Sequence, residues 1–236
     1  MPAPEVRPRW VVVAAWAAGG CLLALVALSV AIHHVGRVLR VDVRVLDLVD
    51  RLRAHGRWLV QVLGVLTWSG DFLFASVGLL VVCVLVTRRR RSLAPLWLGL
   101  SAVGLLLGTV GTGKAVIARS RIPFSVGSFG DGGTSYPSGH ATTAVVVGGC
   151  LVLLAAPVLS RTGLRWAWAG MVAYAGLIGA SRLYLRMHWF TDVLAGWLLG
   201  AVIVCVLAIV FVRAPAVVTR AVQPDPVAAG QAPAPR

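Results

Sequence analysis

Apolar residues in this chain come in long runs, and the polar residues that interrupt them gather at the run ends. Runs at 10–32, 68–87, 93–113, 140–159, 166–182 and 189–212 reach or approach the roughly 20 residues that carry a helix across a bilayer. The fifth is the shortest and continues toward Leu185. The pattern predicts an all-α, polytopic membrane protein with six transmembrane helices in one bundle. Segment 35–66 is neither a span nor a simple loop. Val38, Val41, Val45, Val49 and Leu52 recur at helical spacing while Arg and Asp fill the other face, and Asp47 with Arg51 makes an i,i+4 pair. This predicts an amphipathic helix lying in the headgroup region between the first two spans.

Composition agrees. Of 236 residues, 58% are hydrophobic and 13% charged, against about 25% charged in a soluble domain. Mean hydropathy is +0.87. A net charge of +14 would point to nucleic acid in a soluble protein. Here the cations sit in short loops between apolar runs, where topology and anionic lipid headgroups explain them and nucleic acid does not. Cys21, Cys83, Cys150 and Cys205 each lie inside an apolar run, far apart and away from any histidine at ligand spacing, so they read as small buried hydrophobes. The first run exceeds the apolar core of a signal peptide and is expected to stay as an anchor. The expected organisation is a cytoplasmic N-terminus over 1–9, a six-span domain over 10–213 and a disordered cytoplasmic tail over 214–236.

Charge along the loops sets orientation. With the N-terminus inside, each side of the membrane receives the same number of cations, so a plain count does not decide. The tightest cluster, the four arginines at 88–91, favours the cytoplasm and places both termini there. The bilayer would be the plasma (inner) membrane.

The polar residues at the run ends carry the chemistry. Lys114 and Arg121 follow the third run, Tyr136-Pro137-Ser138-Gly139-His140 opens the fourth, Ser181-Arg182 closes the fifth, and His188 and Asp192 open the sixth. With six alternating spans those four places emerge on one side of the membrane, here the extracytoplasmic side. Ionisable residues at such positions mark a functional site by default. Lys114, the chain's only lysine, would join Arg121 and Arg182 in clamping phosphate oxygens. Ser138 and Gly139 put backbone N–H groups and a positive helix end beside an anion. His188 and Asp192 share one helix face, where the carboxylate can hold the imidazole in one tautomer. One histidine can attack phosphorus and the other can protonate the departing oxygen. Asp71, after Trp68-Ser69-Gly70, is expected to sit in a helix first turn and complement its dipole; a membrane-embedded acid is the sharper alternative. His33, His34 and His55 fall outside the constellation, and Tyr136 and Trp189 read as interfacial aromatic anchors.

Lys114 with Arg121, Pro137-Ser138-Gly139-His140, and Ser181-Arg182 with His188 and Asp192 together resemble the three-part signature of the type 2 phosphatidic acid phosphatase superfamily. The resemblance runs from Lys114 to Asp192. Its third part is the most specific. The first part departs, since Ile122 stands between Arg121 and Pro123 and Arg119 lies close by, leaving two arginines for one role. The resemblance implies that His188 is a nucleophile forming a phosphohistidine, that Asp192 orients it, and that His140 is acid and then base. It also implies that Lys114, Arg121, Ser138, Gly139 and Arg182 bind phosphate, and that no metal or cofactor is required. The expected activity is hydrolysis of a lipid phosphate or diphosphate: a polyprenyl diphosphate, phosphatidic acid or phosphatidylglycerol phosphate. A lipid phosphotransferase using the same site is the nearest alternative, and an anion-binding transporter is the alternative from another class. The signature reads phosphate alone, so it names neither the lipid nor the oligomeric state.

Overall fold

The computed structural model describes residues 9–54, 56–122 and 133–213. The N-terminal residues 1–8, His55, the 123–132 segment with Pro123, and the expected disordered tail 214–236 lie outside the described residues. Among those described, the chain is helical: α1 (Arg9–His34), α2 (Gly36–Ala54), α3 (Arg57–Thr67), α4 (Phe72–Arg90), α5 (Ala94–Ile117), α6 (Gly139–Ala155), α7 (Arg161–Tyr184) and α8 (Phe190–Arg213). Short 3₁₀ turns at Trp68–Gly70 and Ala156–Val158 follow α3 and α6.

Local chemistry ends the helices where the hydropathy changes. Asp71 caps α4, its Oδ1 accepting from the N–H groups of Leu73 at 2.9 Å and Phe74 at 3.2 Å, an interaction worth about 1 kcal/mol. The second run therefore begins as a 3₁₀ turn at Trp68 and becomes α-helical only after this cap. Arg91 and Ala118 close α4 and α5 in left-handed conformations, with φ of 51° and 47°. Ser160 caps α7 by accepting from the N–H of Gly163 at 3.1 Å. At the start of α8, Asp192 reaches back to accept from the N–H of Trp189 at 3.0 Å, one half of a capping box.

Among the described residues, five helices are long and apolar enough to cross a membrane: α1, α4, α5, α6 with its 3₁₀ extension, and α8. The chain is thus a multi-pass membrane protein. The helix expected as the fifth span is α7, as long as α5 but carrying Arg161, Arg165 and Arg182, and it falls outside that set of five.

α6 is the centre. It packs against α4, α5, α7 and α8, and α8 in turn carries α1 on its flank. Leu79, Leu106, Val146, Cys150, Ile203 and Leu207 form the main core among α4, α5, α6 and α8. Small residues let α6 and α8 approach: a Cβ on Gly196 would stand 2.7 Å from the Ser138 carbonyl oxygen and 2.9 Å from the Ala141 Cβ. That contact seats the start of α6 on α8. All four cysteines are free, with Cys83 and Cys150 in the core.

Segment 35–66 departs from expectation in two ways. It forms two helices, broken before Gly56, where the carbonyl accepts from the Tyr184 hydroxyl at 3.0 Å and ties the turn to α7. Its inward stripe also differs. Val41 and Leu52 are exposed, whereas Val49 and Asp42 are buried. The sequence pattern put Asp42 on the charged outer face, yet its carboxylate is 1% exposed. The partners that make this tolerable come from α8 and from the segment after α5. Tyr136 is likewise no interfacial anchor. It is 2% exposed, and its hydroxyl lies 2.8 Å from Ser29 Oγ on α1.

Candidate active site

The ends of α5, α6 and α7 and the turn before α8 enclose a cavity of about 400 Å³. Lys114 stands in the last turn of α5, Gly139 and His140 in the first turn of α6, and Arg182 in the last turn of α7. All four line the cavity together with Arg121, His188, Asp71, Thr143 and Met187. Phe72, Leu106, Leu107 and Val110 make an apolar wall from α4 and α5. The structure thus gathers six of the eight site residues expected from sequence around one space. Ser138 and Asp192, both with no exposed surface, stand behind its lining.

Electrostatically the cavity is an anion trap. Among the described residues, Lys114, Arg121 and Arg182 have no carboxylate within 4 Å, the four close ion pairs being made by other side chains. Arg182 is 6% exposed and donates from Nη1 to Thr67 Oγ1 at 3.1 Å, while its Nε has no hydrogen-bond partner. Ser138 Oγ, also buried, has none either. Buried polar atoms are rarely left unpaired in native proteins. Two such donors beside a cation-lined space fit an oxyanion ligand.

The order of roles within the His188 cluster differs from the simplest expectation. His188 Nδ1 lies 2.9 Å from the Ser135 carbonyl oxygen and 3.6 Å from Asp192 Oδ2. A carbonyl oxygen only accepts, so Nδ1 carries the ring proton and Nε2 keeps its lone pair. The tautomer is therefore set by a backbone oxygen, with Asp192 close enough to act as a charge but beyond hydrogen-bond distance. His188 lies in the turn between α7 and α8. Burial pushes its pKa below the ordinary histidine value, Asp192 opposes that, and Arg182 and Arg121 add to it. The imidazole is consequently neutral, the form that can attack.

The two arginines near the first signature part separate cleanly. Arg121 lines the cavity beside Lys114. Arg119 is bound elsewhere: it donates to Asp192 Oδ1 at 2.8 Å, to Asp42 Oδ2 at 2.6 Å and to Thr191 Oγ1 at 2.7 Å. Its guanidinium also lies 5.2 Å from the centre of the Trp189 ring. Asp71 caps α4, as expected, and lines the cavity as well. His33 and His34 are exposed and outside its lining. Sequence reasoning missed Thr67, Ser135 and Asp42. A backbone carbonyl has no signature, and the other two stand outside every motif.

Three known relations bear on this site. Residues 114–215 match the family model of the PAP2 superfamily. An undecaprenyl-diphosphatase of Sulfolobus acidocaldarius is 44% identical over 67 residues, or 28% of this chain; the match spans 29% of that relative's own length. The crystal structure of a transmembrane PAP2-type phosphatidylglycerolphosphate phosphatase from Bacillus subtilis superposes with a TM-score of 0.73 at 25% identity, covering 81% of this chain and 94% of that one. The family-model match spans the stretch that builds the cavity, and the fold as a whole is similar to that of a membrane PAP2-type phosphatase.

Proposed function

We propose that this protein is a membrane lipid phosphatase that hydrolyses a lipid phosphate or diphosphate through a phosphohistidine on His188. The observation that carries this is the cavity itself, where three cations without a close carboxylate partner among the described residues and two histidines meet an apolar wall. Lys114, Arg121 and Arg182, with the unpaired Ser138 Oγ and the N–H groups at the start of α6, hold the phosphate oxygens. Gly139, beside His140, leaves room there, since the nearest neighbour its Cβ would meet is Val110 at 3.8 Å. His188 Nε2 attacks phosphorus and forms an N–P bond, while protonated His140 gives its proton to the departing lipid oxygen. His140 then takes a proton from water, whose oxygen attacks the same phosphorus. Inorganic phosphate leaves and His188 is restored. Asp192 faces the imidazolium of the intermediate, and the cations stabilise charge on the transferring group as a metal would.

The lipid lies along Phe72, Leu106, Leu107 and Val110. Names of the relatives point to polyprenyl diphosphates and phosphatidylglycerol phosphate as substrates to test first. α7 completes a set of six spans with α2 and α3 at the headgroup level, both termini are cytoplasmic, and the cavity opens on the opposite side. The deciding measurement is phosphate release by purified protein from undecaprenyl diphosphate, phosphatidic acid and phosphatidylglycerol phosphate. Release from at least one, persisting in EDTA, inhibited by vanadate and absent in His188→Ala, is expected. Loss in chelator with recovery on adding Mg²⁺ would overturn the mechanism. Transfer of the phosphate to a second lipid, with none released, would make the protein a phosphotransferase.

Topology has its own test. A lone cysteine placed at Ser128, which lies outside the described residues, should react with an impermeant thiol reagent on intact cells, and one at Ser92 should not. The reverse pattern would move the chemistry to the cytoplasmic leaflet and leave the residue roles unchanged.

A further inference from the structure

Behind His188, Asp192 of the signature joins a polar cluster whose other members, Asp42, Arg119 and Thr191, the signature does not include. Asp42 of α2 accepts three hydrogen bonds. Its Oδ1 takes the N–H of Thr191 at 2.9 Å, and its Oδ2 takes the Thr191 hydroxyl at 2.8 Å and Arg119 Nη2 at 2.6 Å. Arg119 bridges from there to Asp192 Oδ1 at 2.8 Å. Both carboxylates are essentially sealed, at 1% and 0% exposure, and the guanidinium side chain is 10% exposed. Asp42 and His188 also line the same small void, together with Trp189 and Ile122. Nothing in this arrangement contacts the phosphate cavity, whose lining includes neither Asp42 nor Arg119.

Charge counting gives the cluster a purpose. One guanidinium between two carboxylates leaves a single negative charge over, next to an imidazole that turns cationic when its Nε2 is phosphorylated. Without Asp42, Arg119 would answer to Asp192 alone and cancel the charge that faces His188. We propose that Asp42 and Arg119 are positioning residues for the His188–Asp192 pair: Asp42 draws Arg119 away so that Asp192 keeps its charge for the phosphohistidine, while Arg119 fixes the Asp192 carboxylate in place. This role rests on the phosphohistidine reading and adds α2 to the machinery that supports it. A buried charge triad kept only for stability would have no need to hold a net charge, since burying uncompensated charge opposes folding.

The charged and titratable groups facing His188 are Asp192 on α8, Arg182 on α7, Arg121 after α5, and His140, Lys114 and Asp71 across the cavity, with Asp42 and Arg119 behind. Only the last two change in the test. The acid limb of kcat/KM reports deprotonation of His188 in the free enzyme. Asp42→Asn removes a negative charge, so the limb moves to lower pH. It also lowers kcat by about 10- to 100-fold, the usual worth of groups that orient a functional histidine through a second residue, with KM little changed. Arg119→Gln leaves two carboxylates, so the limb moves to higher pH. The double variant Asp42→Asn/Arg119→Gln returns to a single negative charge on Asp192, and its limb comes back to the wild-type position.

All four proteins, purified full-length in detergent, are compared by pH–rate profile on the lipid phosphate that the wild type hydrolyses, with elution profile and thermal melt as folding controls. Opposite shifts for the single variants, cancelling in the double, support the proposal. Unmoved limbs, or shifts of one sign for both single variants, overturn it. If Asp42→Asn does not insert, Arg119→Gln alone carries the sign, and a limb unmoved or moved down overturns the proposal. His188→Ala separates the two levels: if that variant still turns over, the phosphohistidine reading fails, whereas an inert His188→Ala beside a wild-type-like Asp42→Asn removes only the positioning role.

Discussion

Cations stand on either side of His188, and they are treated in opposite ways. On the cavity side, among the described residues, Lys114, Arg121 and Arg182 are held without carboxylate partners within 4 Å, and Arg182 Nε and Ser138 Oγ have no hydrogen-bond partner. On the other side Arg119 is fully engaged by Asp42, Asp192 and Thr191. All four cations sit close together at one end of the bundle. What separates them is neutralisation. A buried cation with carboxylates on two sides is structural or orienting, while a set of cations denied such partners keeps its field for an anion from outside. The cost of the second arrangement is a strained electrostatic ground state, which is common at functional sites.

The sharpest way to break that contrast is to remove the histidine between the two groups. His188→Ala should abolish phosphate release and any acid-labile phosphoenzyme. His140→Ala should allow the phosphoenzyme to form, if at all, only from substrates with good leaving groups, with turnover reduced about 10²- to 10⁴-fold as expected for losing general acid–base assistance. Both variants should insert and melt as the wild type does. Phosphate release at the wild-type rate from either would dissolve the assignment.

A smaller but still large effect should come from the unpaired cations. Arg182→Met removes a donor aimed at developing charge, and kcat/KM should fall about 10²- to 10³-fold. Because Arg182 is a buried cation without a carboxylate, its removal should not lower the thermal melt and can raise it. Rate falls while stability holds: that pairing is the signature of a cation kept for the ligand. If Arg182→Met destabilised the fold instead, the contrast between the two sides of His188 would lose its basis.

How far the sequence foresaw this depends on the range of the interactions involved. Hydropathy placed α1, α4, α5, α6 and α8 within a few residues, because membrane-length apolar runs report directly on helix extent. Alternation of spans then predicted that Lys114, His140, Arg182 and His188 would meet, and they line one cavity. Burial was less readable. α1 and α6 are both apolar throughout, yet α1 buries only one face, against α8, and α6 is the core. Hydropathy cannot tell a lipid neighbour from a protein one. Asp42 was misplaced for a related reason. On an amphipathic helix a charge is assigned outward, and the residue that turns it inward, Arg119, lies 77 positions away with no periodic relation to it. Ser135 contributes through its carbonyl, which any residue type would supply.

The smallest effect sharpens the comparison most finely, because it concerns how an unpaired cation is aimed. Thr67, at the end of α3 and 6% exposed, accepts from Arg182 Nη1 at 3.1 Å and lies outside the cavity lining. It satisfies one guanidinium nitrogen without neutralising the charge, which a carboxylate at the same place would do. Thr67→Val keeps the volume and removes the acceptor. A net hydrogen bond is worth about 0.5–1.5 kcal/mol, so kcat/KM should fall roughly two- to tenfold, and Thr67→Ser should recover most of the loss. Thr67→Asp should be far worse than Thr67→Val, since it would pair Arg182 and spend its field inside the protein. Steady-state rates for the three variants on one lipid phosphate settle the point. An active Thr67→Asp would mean that the bare charge on Arg182 is not what the phosphate reads.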